Sequence, residues 1–135
     1  MRRLSLVLLV AASAACGSST DNSKPSSPYS FTVISQVESG GGANPYLTTL
    51  TLEVSLKEDG SVQPGVTIIT QVSVGDVAPL PMVTGANGQA TVTWTIQPAD
   101  QTVGRSESLA YCAPPPGSAF CDTKLFGPNS ITVTF

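Results

Sequence analysis

The sequence predicts an all-β fold, a single antiparallel sandwich of about seven strands over residues 29–135. Apolar and polar residues alternate with a period of two through this part of the chain. No segment has the i, i+3, i+4, i+7 spacing of an amphipathic helix. Turn signals rich in Gly, Pro, Asn and Asp separate the alternating runs. Many short strands joined by such turns are typical of a sandwich.

The first half of the domain contains three predicted strands. The first, over residues 31–37, includes a bulge next to Ile34 and ends at a loop of three glycines. The second carries its apolar residues on one face: Leu50, Leu52, Val54 and Leu56. The third follows a polar turn and has a similar inner face: Val66, Ile68, Thr70, Val72 and Val74. One face of each strand should lie in the core and the other in water.

The second half continues the pattern. Pro79 and Pro81 confine residues 80–83 to a sheet edge or a connection, because proline donates no hydrogen bond to a neighbouring strand. Asn87-Gly88 is the strongest turn signal, and it precedes a strand in which Trp94 is in phase with Ala90 and Val92. Trp94 is therefore predicted in the core, and a sugar-stacking surface position is the alternative. Two more strands are expected near residues 107–112 and 131–135.

Residues 1–15 have the three-part order of a secretory signal peptide. Arg2 and Arg3 precede an apolar run over residues 4–12, which is followed by small residues. This run is too short to span a bilayer, which takes about 20 apolar residues. The next residues, Ser13-Ala14-Ala15-Cys16, resemble the lipobox of bacterial lipoproteins, although that motif usually has Leu where Ser13 stands. The resemblance implies that Cys16 is the acylated mature N-terminus and attaches the protein to a membrane; cleavage as an ordinary signal peptide is the alternative.

Residues 16–28 are predicted to form a lipid-attached disordered tether, since they are rich in Ser and carry no apolar residue that could anchor a core. Removal of residues 1–15 leaves four basic residues against nine acidic ones, a net charge of −5. Such a charge disfavours nucleic acid and anionic membrane surfaces as partners. The sequence has no His, which excludes Ser/His/Asp catalysis and imidazole metal sites. We predict no cofactor.

Cys112 and Cys121 are expected to form a disulfide, because thiols in exported proteins tend to pair. Two buried free thiols are the alternative. The pair would close a loop that contains three successive prolines at residues 114–116. A loop braced in this way loses little entropy on binding. The competing interpretation is that the bond only ties a long connection to the sandwich.

Two stretches of the chain carry a family resemblance. The sequences LKEDGSVQPGVT (residues 56–67) and TGANGQATVTWT (residues 84–95) are similar to the bacterial immunoglobulin-like domains of the invasin/intimin type, the Big-1-like domains. Those domains carry a "D-x-x-G-x-x-x-x-G-V" turn and a "T-x-x-x-G-x-A" segment before a central strand. The resemblance covers residues 45–97 and implies an immunoglobulin-like sandwich with adhesion or spacer roles. It implies no catalytic residues.

Two groups of side chains are candidates for sites. Glu58, Asp59 and Asp76 could be calcium ligands, but a solvated acidic turn is favoured and no metal site is predicted. The candidate binding residues lie in or next to the disulfide loop: Tyr111, Pro115, Pro116 and Phe120. Packing under the loops is the competing expectation for the aromatic residues. The turns of Asp59 and Asn87 are expected at the opposite end of the sandwich from this loop.

These features predict a non-enzymatic protein of the bacterial cell envelope, lipid-anchored at the outer membrane or cell surface. Its single immunoglobulin-like domain would bind an envelope protein or a glycan, or act as a spacer. The alternative is a secreted inhibitor or enzyme-associated factor that inserts the loop of residues 112–121 into its partner.

Overall fold

The computed structural model describes residues 27–126 and 128–135, which form two packed β-sheets. The predicted signal peptide, Cys16 and the tether up to residue 26 lie outside these residues. The all-β prediction is confirmed, with eight strands where about seven were expected. The strands are β1 (Tyr29–Gly40), β2 (Tyr46–Leu56), β3 (Thr67–Val72), β4 (Asp76–Ala78), β5 (Met82–Val83), β6 (Gln89–Ile96), β7 (Ser106–Cys112) and β8 (Ser130–Thr134).

Each sheet has four strands, and every pairing is antiparallel. One sheet has the order β1-β2-β6-β4 and the other the order β5-β3-β7-β8. This is the arrangement of a constant-type immunoglobulin sandwich, with β5 added beside β3. A 3₁₀ turn (Pro98–Asp100) and one short helix, α1 (Thr123–Phe126), lie in the connections. Among the described residues, no helix has the length and apolar character needed to cross a membrane.

The core lies between the two sheets and contains the residues whose alternation predicted it. Leu50, Leu52 and Val54 of β2 are fully buried, as is Trp94 of β6. The indole Nε1 of Trp94 donates a 2.8 Å hydrogen bond to the carbonyl oxygen of Val74, so its polar atom is paired inside the core. The core prediction for Trp94 is confirmed.

Gly75 allows the chain to pass close to Trp94. It has a φ of +85°, and a Cβ at this position would collide with the carbonyl oxygen of Thr95. Only glycine adopts this conformation without strain while leaving room for the neighbouring strand. The sharp bend after β3 therefore depends on the absence of a side chain.

Strand β1 contains the predicted bulge, which reverses the direction of its side chains. The register with β2 shifts between Val33 and Ser35. Before the shift Val33 is opposite Leu52, whereas after it Gln36 is opposite Leu50, so a polar residue takes the inner face. Val37 is consequently on the outer face and 61% exposed. The second half of β1 thus adds little apolar surface to the core.

We name the two ends of the sandwich after β1: the amino end is where β1 begins, and the carboxyl end is where β1 finishes. At the amino end, Tyr29 is paired with Leu56, and the ring of Phe31 packs edge-on against Tyr111 at 5.1 Å. At the carboxyl end, the ring of Tyr46 packs edge-on against Phe135 at 5.2 Å. β7 runs toward the amino end, so the loop that follows Cys112 belongs to that end.

The expected position of the turns at Asp59 and Asn87 is wrong. Asp59 follows the end of β2, and Asn87 precedes β6, whose first residue Gln89 is opposite Glu53. Both turns therefore lie at the amino end, together with the disulfide loop. The number of strand reversals between these turns and Cys112 determines this placement, and no local sequence pattern reveals it.

Candidate functional site

The loop after β7 is closed by Cys112 and Cys121, which are paired as predicted with 6.4 Å between their Cα atoms. Cys112 is fully buried, which ties the loop directly to the core. Inside the loop, the backbone N–H of Ser118 donates to the carbonyl oxygen of Pro115 at 3.0 Å. The hydroxyl of Ser118 also accepts from the backbone N–H of Phe120 at 3.2 Å. The loop is therefore a compact turn rather than an open excursion.

A groove of about 390 Å³ lies between this loop and the chain that leads into β3. One wall is formed by residues 114–118, which include the three prolines. The other wall is formed by residues 63–67, and Tyr29 also lines the groove. The groove thus combines parts of the chain that are far apart in sequence.

Thr84 holds the second wall in place. Its hydroxyl donates a 2.6 Å hydrogen bond to the carbonyl oxygen of Gln63 and accepts one of 2.9 Å from the backbone N–H of Val66. Its carbonyl oxygen accepts from the backbone N–H of Gly65 at 2.9 Å. Since Thr84 is buried, these hydrogen bonds are shielded from water. They hold the wall more firmly than the same bonds would in a turn exposed to solvent.

The chain enters the sandwich beside the groove. The hydroxyl of buried Ser27 donates a 2.9 Å hydrogen bond to the carbonyl oxygen of Ala113, the residue before the proline run. The carbonyl oxygen of Pro28 accepts from the backbone N–H of Lys57 at 2.9 Å. Ser27 and Pro28, which precede the predicted boundary at residue 29, therefore belong to the folded domain.

The structure separates the four candidate binding residues. Tyr111 is buried, with only 5% of its surface exposed, and burial raises the pKa of its hydroxyl group. Its ring belongs to the core, which corrects its assignment to a contact surface. Pro115 and Pro116 line the groove, whereas Phe120 does not line it and is 80% exposed. Tyr111 lies two residues after buried Leu109, so the alternation of β7 was a signal for its burial.

Tyr29 and residues 63–67 are groove residues that the sequence did not indicate. Pro64-Gly65 was visible only as a turn before a strand. Nothing in the local pattern places it beside residues 114–118, about 50 positions later. Strand order brings them together, since β3 and β7 are neighbours and Ile69 is opposite Cys112.

The carboxylates considered for calcium do not converge. Asp59 is at the amino end, where its carboxylate accepts hydrogen bonds from the backbone N–H of Ser61 at 2.9 Å and from its hydroxyl at 2.6 Å. These bonds hold the pKa of Asp59 below its usual range. Asp76 is opposite Thr95 at the carboxyl end of the sandwich. Within residues 27–126 and 128–135, no three Cys, Asp or Glu side chains are grouped as metal ligands.

A polar cluster lies at the carboxyl end, on the inner face of β1 and β2. The side-chain amide of Gln36 donates a 2.7 Å hydrogen bond to the carboxylate of Glu38. Hydrogen bonds from Tyr46 and Gln36 lower the pKa of Glu38. Partial burial and the adjacent Glu38 carboxylate raise the pKa of Tyr46 to about 12. At neutral pH the pair is thus an ionised carboxylate beside a neutral phenol.

Glu107 is a second acidic group with dedicated partners. It is 2% exposed, and its two oxygens contact Nε of Arg105 at 2.7 Å and the hydroxyl of Ser73 at 2.5 Å. The same Ser73 hydroxyl accepts from the backbone N–H of Ser108 at 2.9 Å. With its charge paired and its oxygens hydrogen-bonded, Glu107 joins the end of β3 to β7 and has a structural role.

The groove is lined by uncharged residues, and its accessible lining is more polar than apolar in spite of its prolines. This chemistry suits a neutral extended peptide or a glycan, which would be held by contact area and hydrogen bonds rather than by charge. No family model, no curated protein and no solved structure matches this chain.

Proposed function

We propose that the chain is a lipid-anchored protein of the bacterial cell envelope whose single immunoglobulin-like domain, of the invasin/intimin type, is a non-enzymatic binding or spacer module. The observation that carries the proposal is the bond between Ser27 and Ala113. This bond lies at one end of the sandwich rather than along its side, and it supports attachment of the domain by that end, eleven residues after Cys16.

Acylation at Cys16 would orient the domain. A Ser-rich tether of eleven residues has a root-mean-square span of roughly 5–6 Å × √11, or about 17–20 Å. The amino end would remain within this distance of the bilayer. β2 has 11 residues, which at about 3.3 Å per residue span about 36 Å. The carboxyl end would therefore be held several nanometres from the membrane, as a spacer requires.

The groove would then open close to the membrane surface. Its walls are stiffened by the prolines, by the Cys112–Cys121 pair and by the hydrogen bonds of Thr84. A rigid groove loses less conformational entropy when it is occupied than a flexible one does. An envelope protein or glycan that reaches the base of the domain is accordingly the partner that this function implies.

Mass spectrometry of the mature N-terminus, together with membrane fractionation, tests the anchor. The expected result is a diacylated Cys16, and a Cys16→Ser variant should move to the soluble fraction. The matched control replaces Cys112 and Cys121 with Ala, which should leave the protein in the membrane fraction. Cleavage elsewhere, or an unmodified Cys16, would contradict the proposal.

The secreted inhibitor remains the second candidate function, because the ring of Phe120 is 80% exposed on a closed loop. An affinity pull-down from envelope extract, with the mature chain as bait, supplies the partner. Pro115→Ser with Pro116→Ser should then weaken capture if the groove binds it. Phe120→Ser alone should weaken capture if the loop inserts its tip. A groove-specific loss supports the envelope module, and a loss confined to Phe120→Ser supports the inhibitor.

A further inference from the structure

Phe120 is more exposed than any other aromatic residue that the structure describes, with 80% of its surface in contact with solvent. It lies in the loop closed by Cys112 and Cys121, at the amino end of the sandwich. The hydroxyl of Ser118 accepts from the backbone N–H of Phe120 at 3.2 Å and donates to its carbonyl oxygen at 3.0 Å. The loop thus presents an aromatic ring on a backbone whose polar groups are already paired.

These paired backbone groups lower the cost of moving Phe120 out of water. A backbone N–H or C=O that loses its water without gaining a partner is strongly unfavourable in an apolar medium. The ring itself gains free energy when it leaves water. Apolar and aromatic side chains of this kind attach proteins to the boundary between lipid headgroups and acyl chains. Phe120 therefore has the properties of a residue that enters a lipid interface.

Two further apolar side chains are exposed at the same end of the sandwich. Val62 is 44% exposed and is paired with Ser55, close to the end of β2. Val83 is 46% exposed and lies opposite Thr67, at the start of β3. The amino end therefore carries exposed apolar groups on three separate segments of the chain.

The charges near this end are mixed in sign. Its basic residues, Lys57 and Lys124, are accompanied in sequence by three acidic ones: Glu58, Asp59 and Asp122. The mature chain as a whole has a net charge of −5. Anionic lipid attracts clusters of basic residues, and neither this end nor the whole chain supplies one. The lipid surface that fits is consequently zwitterionic.

The chain also enters the domain at this end. Ser27 is bonded to Ala113, the residue that follows Cys112, and Cys16 precedes Ser27 by eleven residues. A lipid on Cys16 would make any contact between Phe120 and the bilayer intramolecular. Because a short tether gives a high effective concentration, even the weak affinity of one aromatic ring for lipid is then sufficient.

We propose that the amino end of the sandwich docks on the surface of a zwitterionic bilayer, with the ring of Phe120 inserted among the lipid headgroups. This second contact fixes the orientation of the domain on the membrane. The inference rests on the proposed attachment at Cys16 and adds a protein–lipid contact to it. Phe120 does not line the groove, so the two surfaces are separate.

Quenching of tryptophan fluorescence by brominated lipid tests the contact. The mature chain is coupled to a maleimide lipid in phosphatidylcholine vesicles; Cys112 and Cys121 are paired, so Cys16 is the thiol that reacts. Phe120→Trp reports on the amino end, and Val103→Trp is the matched control, because Val103 is 90% exposed and precedes β7 at the carboxyl end. The parent chain, whose one tryptophan is buried, gives the background. We expect quenching of the Phe120→Trp variant alone, and equal quenching of both variants, or of neither, would overturn the proposal.

Uncoupled chains that carry Cys16→Ser measure the affinity for lipid without the tether. Phe120→Ser should lower partition into phosphatidylcholine vesicles about tenfold, whereas Phe120→Leu should retain most of it and Val103→Ser all of it. Melting curves confirm that each variant is folded. Vesicles with added anionic lipid should bind the chain less well. Equal partition of the parent and Phe120→Ser, or tighter binding to anionic vesicles, would refute insertion of the ring.

The vesicles contain no protein, which separates this proposal from insertion of the loop into a protein partner. An effect of Phe120→Ser on capture from envelope extract, without any effect on vesicles, would assign the loop to such a partner and overturn docking on lipid. Both vesicle experiments supply or remove the attachment at Cys16 chemically, so neither depends on acylation in the cell. A diacylated Cys16 without quenching would contradict the docking alone, and quenching with an unmodified native Cys16 would contradict the anchor alone.

Discussion

The hydroxyl of Ser27 donates a hydrogen bond to the carbonyl oxygen of Ala113, 86 residues later in the chain. Both residues are buried. The same Ser27 hydroxyl accepts from the backbone N–H of Tyr29 at 3.3 Å, so it connects the start of β1 to the disulfide loop. The residues that lead into β1 and one wall of the groove are consequently a single structural unit.

Ser27→Ala should lower the free energy of unfolding by about 1–3 kcal/mol, because it leaves the buried carbonyl of Ala113 without its partner. Ser30→Ala is the matched control, since that hydroxyl pairs with Ser55 at 2.9 Å in a more exposed position and should cost less. Urea unfolding measures both variants. Equal losses of unfolding free energy would show that the Ser27–Ala113 hydrogen bond contributes no more to stability than the Ser30–Ser55 bond.

Replacement of Cys112 and Cys121 by Ala should lower stability by about 2.5–3 kcal/mol. The disulfide closes a loop of about ten residues and so reduces the conformational entropy of the unfolded chain. This reduction raises the free energy of the unfolded state by roughly the stated amount. Thermal unfolding with and without reductant gives the comparison. The reduced parent should have the same melting temperature as the double variant. A parent whose melting temperature does not change with reductant would contradict the expectation.

Trp94→Ala should cost roughly 3–5 kcal/mol, since it removes the largest fully buried side chain and leaves a cavity between the sheets. Trp94→Phe should cost less, because it retains an aromatic ring and loses the hydrogen bond to Val74. Chemical denaturation ranks the two variants. If Trp94→Ala melted like the parent, the core would not depend on Trp94.

Tyr46 should make the stability of the domain fall at alkaline pH. Partial burial first, and the Glu38 carboxylate second, raise its pKa from 10.0 to about 12. Because the folded state holds this proton more tightly than the unfolded state, the contribution is complete below pH 10 and is lost as the pH rises toward 12. The parent should therefore lose stability more steeply over this interval than Tyr46→Phe. Parallel slopes in urea titrations would refute the assignment.

Features that depend on neighbouring residues were predictable. The alternation in β2 and β6 identified the core positions of Leu50, Leu52 and Trp94, because a strand directs successive side chains to opposite faces. Asn87-Gly88 predicted its turn because Gly88 supplies the positive φ, here +72°. The sequence proximity of Cys112 and Cys121, together with the predicted signal peptide, predicted their pairing.

Features that depend on sheet order were not predictable. The bulge in β1 was expected, but only the register with β2 shows that it turns Val37 outward and Gln36 inward. Pro64-Gly65 and residues 114–118 form one groove because β3 and β7 are adjacent.

The sequence by itself therefore determined the all-β class, most strands and turns, and the inner face of the central strands. The tertiary structure alone decided which strands lie at the edges and which loops share an end, and thereby joined Ser27, Tyr29 and Pro115 in one region. Side-chain alternation acts over a few residues, whereas strand order depends on how distant segments bury their apolar faces together. The groove, and the edge position of β1 among the described residues, are features that only the tertiary structure reveals.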